Sequence, residues 1–172
     1  QYVNNGATSV PAQIAGKNAI INGNFDFWQR GTSGIVGGST TFLADRWHSV
    51  TYAGGSMSWS RISTSNTPVG SVYGLRVGRT NGSSSTATIN LASSLETSES
   101  LRFQGQIATI SFWARKGTDF SAASNILSAG IYQGTGTDQS VYNGYTNGGW
   151  SGAYGNVTLT TSWQKFSITG LI

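Results

Sequence analysis

The stretch Asn18-Ala-Ile-Ile-Asn-Gly-Asn-Phe-Asp-Phe-Trp-Gln-Arg-Gly-Thr32, followed after a glycine-rich gap by Phe42-Leu-Ala-Asp-Arg-Trp47, decides how the rest of the chain is read. It joins a short apolar run (Ala19, Ile20, Ile21) to a polar turn at Asn22-Gly23-Asn24 and then to Phe25, Phe27 and Trp28. Asn-Gly marks a tight turn because both residues tolerate positive φ. Apolar flanks on both sides predict two buried extended pieces around that turn. Phe25 and Phe27 are then expected on one face, with Asp26 and Trp28 on the other.

Outward from this stretch the same grammar repeats. Residues 43–52, 57–62, 72–77, 86–91, 107–115, 125–132, 157–159 and 163–168 read as strands between turns rich in Gly, Ser, Thr and Asn. Residues 107–115 give the cleanest alternation. Ala108, Ile110, Phe112 and Ala114 form one face, and Thr109, Ser111, Trp113 and Arg115 the other. Residues 95–103 break the pattern and allow one or two helical turns. Residues 31–41 read as a loop, and residues 133–155 as the longest irregular stretch. About nine strands at this spacing predict an all-β sandwich or jelly roll. Residues 1–17 show no period and read as an N-terminal arm or linker, with the sandwich occupying residues 18–172.

Composition agrees with that class. The chain has 172 residues, enough for one domain with a real core. Only 9% are charged, against about 25% in ordinary soluble domains. Six Trp, seven Tyr and seven Phe supply apolar area, which argues against disorder. The net charge of +4 comes from scattered residues, with only Arg115 and Lys116 adjacent, so no nucleic-acid partner is expected. The absence of cysteine excludes disulfides and thiolate metal sites. No apolar run reaches the roughly 18 residues of a membrane helix, so no membrane insertion is expected. The chain opens with Gln1 instead of Met, which fits a processed protein or a segment of a longer one.

Two of these motifs carry a family resemblance. Asn22-Gly-Asn-Phe-Asp-Phe-Trp-Gln-Arg-Gly-Thr32 and Ala44-Asp-Arg-Trp47 resemble the opening of β-sandwich domains in tailed-phage structural proteins. Ser111-Phe-Trp-Ala-Arg-Lys-Gly117 and Thr161-Ser-Trp-Gln-Lys-Phe-Ser-Ile-Thr-Gly170 resemble later strands of the same domain. The resemblance implies a jelly roll similar to carbohydrate-binding modules, in a tail fibre, an appendage or a capsid-decoration subunit. It implies virion localisation, other virion proteins as partners and a homo-oligomer, often a trimer. Such domains usually continue into closing strands beyond the Trp-Gln-Lys-Phe strand. A chain stopping at Ile172 therefore implies either a missing C-terminal piece or a neighbouring subunit completing the sheet beside residues 165–168.

The chemistry-bearing residues are few. His48 is the only histidine and lacks a nucleophile or acid motif beside it, which favours a structural role. Asp45 and Arg46 are adjacent, so on a strand they point to opposite faces and pair elsewhere. No Walker, Rossmann or zinc motif is present. A glycosidase needs two carboxylates. Asp119 and Asp138 are the pair placed on loops, and a polysaccharide depolymerase using them is the enzymatic alternative. No catalytic residue is assigned and no cofactor is expected. Asn22, Asn24 and Asp26 are the candidate ligands for a structural calcium, which takes hard oxygen donors. Tyr142, Tyr145, Trp150 and Tyr154 are the candidate binding residues. Their rings suit sugar stacking, a protein interface or simple cover for the sandwich. The expected function is therefore a non-enzymatic virion structural subunit. The alternative is a glycan-binding receptor-recognition module at a fibre tip.

Overall fold

The computed structural model describes residues 18–37, 40–51, 55–141 and 143–172. The arm at residues 1–17 lies outside the described residues. The chain is all-β, with ten strands and one short helix among the described residues. The strands are β1 (Ser33–Gly37), β2 (Thr40–Phe42), β3 (Trp47–Thr51), β4 (Ser56–Ser63), β5 (Tyr73–Arg79) and β6 (Ile89–Ser93). The helix α1 (Thr97–Ser100), with a 3-10 turn at Leu101–Phe103, then leads to β7 (Ile107–Ala114), β8 (Ile126–Gln133), β9 (Gly149–Thr158) and β10 (Gln164–Leu171). All pairings are antiparallel, in ladders β1-β4-β5, β2-β3-β6, β8-β9 and β7-β10.

The buried core cluster draws on the first two ladders. Val36, Met57 and Trp59 come from β1 and β4, and Leu43 from the turn between β2 and β3. Trp28, Leu75 and Ile89 pack against them. Each fully buried aliphatic side chain contributes about 1.5–3 kcal/mol. Trp28 and Trp59 stack with ring centroids 6.1 Å apart.

The opening stretch differs from its sequence reading. No strands flank Asn22-Gly23; residues 21–24 form a turn and residues 25–28 run irregularly into the core. This segment docks on the turn before β3. The Asn22 Nδ2 donates to the Phe27 and Asp45 carbonyls at 3.0 and 2.9 Å, and the Phe27 N–H donates to Asn22 Oδ1 at 3.0 Å. The Trp47 Nε1 donates to the Asn22 carbonyl at 2.9 Å, and its ring lies 5.1 Å from Phe25. Asn22, Phe25 and Arg46 all hold positive φ here. Side-chain hydrogen bonds have replaced the expected ladder, because residues in the left-handed region cannot continue a strand. Asp45 and Arg46 therefore lie on this turn and not on a strand. Arg46 pairs with Glu96 at 2.9 Å, which ties the turn to the start of α1.

Two further boundaries move. Residues 31–41 are not one loop, since they hold β1 and the start of β2. Residues 133–155 are not wholly irregular, since β9 begins at Gly149. β10 pairs with β7 along one edge and has no ladder partner along the other among the described residues, so the edge beside residues 165–168 is unpaired there. β9 packs against β10 without a ladder, with Gly155 beside Ile168 and Gly152 beside Leu171. Where β9 and β10 meet, a Cβ on Gly170 would lie 2.0 Å from the Gly152 carbonyl carbon, so glycine is required. β7 follows its predicted alternation. Ala108, Ile110, Phe112 and Ala114 are half-buried while Thr109, Ser111 and Trp113 are exposed, and Phe112 meets Phe166 across the ladder.

Candidate functional site

β8 and β9 place a strip of aromatic rings on one outer face. Alternation along β9 turns Ser151, Ala153, Gly155 and Val157 inward and leaves Trp150, Tyr154 and Asn156 exposed. Across the ladder Tyr132 faces Trp150, Gly130 faces Tyr154 and Ser128 faces Asn156. Trp150 and Tyr154 stack at 4.4 Å, with 26° between their planes. Tyr132 meets Trp150 edge-on at 5.2 Å and Tyr145 at 5.7 Å. Trp150, Tyr154 and Tyr132 remain 53%, 40% and 39% exposed.

Local sequence explains this geometry. Residues four apart on a strand lie about 13 Å apart at Cα. Between Trp150 and Tyr154, residues 151–153 of β9 stand opposite Ile131 alone, so the strand bulges and its path between the two rings shortens. Opposite Tyr154, a Cβ on Gly130 would fall 2.7 Å from the Tyr154 Cα, and the register shifts between Gly130 and Tyr132. Such a bulge bends the strand and re-aims its side chains, here bringing Tyr132 beside Trp150.

Tyr145 is held by the loop between the two strands. Thr135 N–H donates to the Thr146 carbonyl at 2.8 Å, Thr146 N–H to Gln139 Oε1 at 2.8 Å, and Asn147 Nδ2 to Thr135 Oγ1 at 3.0 Å. Beyond Tyr154 the strip turns polar. The Ser128 hydroxyl donates to Asn156 Oδ1 at 2.7 Å, which leaves the Asn156 amide N–H groups facing outward. Asp138 is the sole ionisable acid or base in residues 133–158 apart from the tyrosine hydroxyls. It faces α1, where Thr97 N–H donates to its carboxylate at 2.8 Å and its own N–H donates to Thr97 Oγ1 at 2.8 Å. Those hydrogen bonds from Thr97 hold its carboxyl below the usual range.

Of the four candidate residues, Tyr145, Trp150 and Tyr154 come together, and Tyr142 lies outside the described residues. Trp150 and Tyr154 sit on a strand, not on a loop. Glycine content hid that strand, because glycines at close backbone approaches look the same in sequence as glycines in turns. Tyr132, at the centre of the strip, was missed as a site residue. Its signal was its place on β8 directly ahead of the aromatic-rich segment, and only the ladder register links the two.

The remaining chemical candidates are engaged in holding the fold. His48 is buried on β3 with its ring edge-on to Phe42 at 5.8 Å, and burial pushes its imidazole below the ordinary value of 6.5. Glu96 accepts from Arg46, and that hydrogen bond holds its carboxyl low. Asp119 folds its carboxylate back toward Gly117 in the turn after β7. At the calcium candidates, Asn22 Oδ1 accepts from Phe27 N–H and Asn24 Oδ1 accepts from the Ser71 hydroxyl at 2.8 Å. Asn24 Nδ2 faces Asp26 Oδ2 at 3.3 Å, so a donor N–H group, and not a third oxygen, meets the one carboxylate. Three of the four side-chain oxygens of these residues thus already accept a hydrogen bond. No group of three His, Cys, Asp or Glu converges among the described residues.

Searches for a matching protein family, a similar curated protein and a similar solved structure found no match.

Proposed function

We propose that this chain is a non-enzymatic virion structural subunit of a tailed phage, folded as a jelly roll, that acts by adhesion through the Tyr145–Tyr132–Trp150–Tyr154 strip. One observation carries the reading. The strip is an uncharged, contiguous aromatic surface whose exposed rings, Tyr132, Trp150 and Tyr154, sit on two paired strands. Aromatic rings held on strands bring large contact area at small entropic cost, which suits recognition. The groups weighed for catalysis support the same reading, since His48 packs against Phe42, Asp138 is held by Thr97 at α1 and Asp119 folds back toward Gly117. The phage assignment rests on the sequence resemblance of residues 22–32, 44–47, 111–117 and 161–170.

The test is immunodetection of the chain on purified particles, with reducing-sugar release from host envelope polymer measured in parallel. The chain should co-purify with particles in a fixed ratio and release no sugar. Its absence from particles would end the virion reading. Sugar release lost in Asp119→Asn or Asp138→Asn would end the adhesive one and restore the depolymerase.

A further inference from the structure

We propose that Asn81 is a spontaneous modification site, which turns into aspartyl and isoaspartyl residues while the chain is folded, and that the fold protects Asn22 and Asn147 from the same reaction. This inference is independent of the function proposed above. An Asn followed by Gly is the reactive pair, because a glycine brings no side chain beside the attacking nitrogen. The Gly nitrogen gives its proton to hydroxide and attacks the Asn Cγ. A new N–Cγ bond closes a cyclic imide, the Cγ–Nδ2 bond breaks and ammonia leaves. Water then opens the imide at either carbonyl. One opening gives aspartate, and the other gives isoaspartate, with the backbone routed through the side chain. Nothing is oxidised or reduced.

Two groups must be free for this reaction, the Asn side-chain amide and the N–H of the residue after it. Four Asn–Gly pairs lie within the described residues, at Asn22, Asn81, Asn143 and Asn147. At Asn22 the amide is held at both ends, by the Phe27 and Asp45 carbonyls and by the Phe27 N–H. At Asn147 the amide donates to Thr135 Oγ1 at 3.0 Å, and the Gly148 N–H donates to the Tyr145 carbonyl at 3.0 Å. At Asn143 the Gly144 N–H donates to the Val141 carbonyl at 3.3 Å. Asn81 differs on both counts. Among the described residues its side chain has no hydrogen bond, and neither has the Gly82 N–H.

The surroundings of Asn81 favour the reaction further. Asn81 and Gly82 are both exposed, in the turn that follows β5. One backbone bond closes that turn, from the Ser83 N–H to the Thr80 carbonyl at 3.0 Å, and a Cβ on Gly82 would meet open space. Segments with so few contacts open readily, which lets the peptide between Asn81 and Gly82 rotate into the attacking geometry. Residues 80–88 belong to no strand and join β5 to β6, which lie in different ladders. An extra backbone carbon there upsets no strand register. The product puts a carboxylate two residues from Arg79 and lowers the net charge of +4 by one unit. Because the conversion needs no enzyme and does not reverse, its extent records how long a chain has existed.

Peptide mapping by mass spectrometry after incubation at mildly alkaline pH tests this, on the folded chain and on the same chain in urea. Conversion raises a peptide's mass by one unit, since NH is exchanged for O. In the folded chain the Asn81 peptide should convert at least about tenfold faster than the Asn22 and Asn147 peptides, which must first break hydrogen bonds. In urea the three rates should fall within about threefold of one another, because the fold no longer distinguishes them. Asn81→Gln should remove the main acidic isoform seen on isoelectric focusing and leave the unfolding midpoint unchanged, as an exposed substitution away from packing does. Three results would overturn the inference. One is an Asn81 peptide that stays intact in the folded chain while it converts in urea. Another is Asn22 or Asn147 converting as fast as Asn81 in the folded chain. The third is an acidic isoform of undiminished yield in Asn81→Gln.

Discussion

Gly170 sits where β9 and β10 come closest, and replacing it with alanine tests that approach. The added Cβ would lie 2.0 Å from the Gly152 carbonyl carbon, 2.1 Å from its oxygen and 2.4 Å from the Ala153 nitrogen. Carbon atoms prefer separations of about 3.5–4.0 Å. All three neighbours are backbone, so relief requires the strands themselves to part. Overpacking of this kind typically costs about 1–3 kcal/mol. The upper end is expected here because no rotamer change relieves the contact. For a chain of this size about 3 kcal/mol lowers the melting temperature by about 6–12 °C. Gly152→Ala should cost less, since its Cβ would stand 2.9 and 3.0 Å from the Leu171 nitrogen and oxygen. Gly78→Ala on β5 provides the control. Nothing lies within 4 Å of its Cβ. Removing a glycine at such a site stabilises by about 0.4–1 kcal/mol through the unfolded chain. Urea and thermal unfolding of the three variants should rank Gly170→Ala below Gly152→Ala below wild type, with Gly78→Ala at or above it. A Gly170→Ala midpoint equal to wild type would refute the close packing of β9 on β10.

Other consequences are open to the same measurements. Asn22→Ala removes two donated and one accepted hydrogen bond at the dock between residues 22–28 and the turn before β3. It should cost about 2–4 kcal/mol by urea unfolding, while Asn22→Gly, which keeps the positive φ, should cost less. The His48 imidazole is held neutral by burial, so the unfolded chain takes up the proton first. Stability from this group is full above pH 6.5 and falls as pH drops through the unfolded value toward the folded one. His48→Gln should flatten that part of the pH profile of the unfolding midpoint. Asp138 and Glu96 are depressed from 3.8 and 4.5, so their contribution to anchoring α1 is present above about pH 5 and is lost as pH falls through the folded values. The gap in midpoint between wild type and Asp138→Ala should therefore shrink from pH 6 to pH 2.5, about the span of that titration.

What could be read in advance was whatever local pattern controls. β7 declared itself because a half-buried strand must alternate, and Ile110 and Phe112 against Ser111 and Trp113 do so plainly. The break at residues 95–103 likewise became α1 and its 3-10 turn. Glycine-rich segments were harder. β1 carries Gly34 and Gly37, and its strand character comes from pairing with β4, where Val36 enters the core. At residues 22–28 the turn was legible. The partner that straightens the following residues was not, because Asn22 and Asp45 are 23 residues apart.

The candidate site divides along the same line. Composition alone located an uncharged, Tyr-, Trp- and Gly-rich segment near residues 142–154, because residue type sets what chemistry is available. It could not place Trp150 and Tyr154 on a strand, add Tyr132 from the neighbouring one, or withdraw Asp138 to cap a helix. Those assignments depend on ladder register and on glycine-to-backbone packing between strands distant in sequence. Side-chain identity fixed the all-β class and the aromatic supply. The tertiary structure decided which rings share a face, since a register shift of one residue sends every side chain to the opposite side.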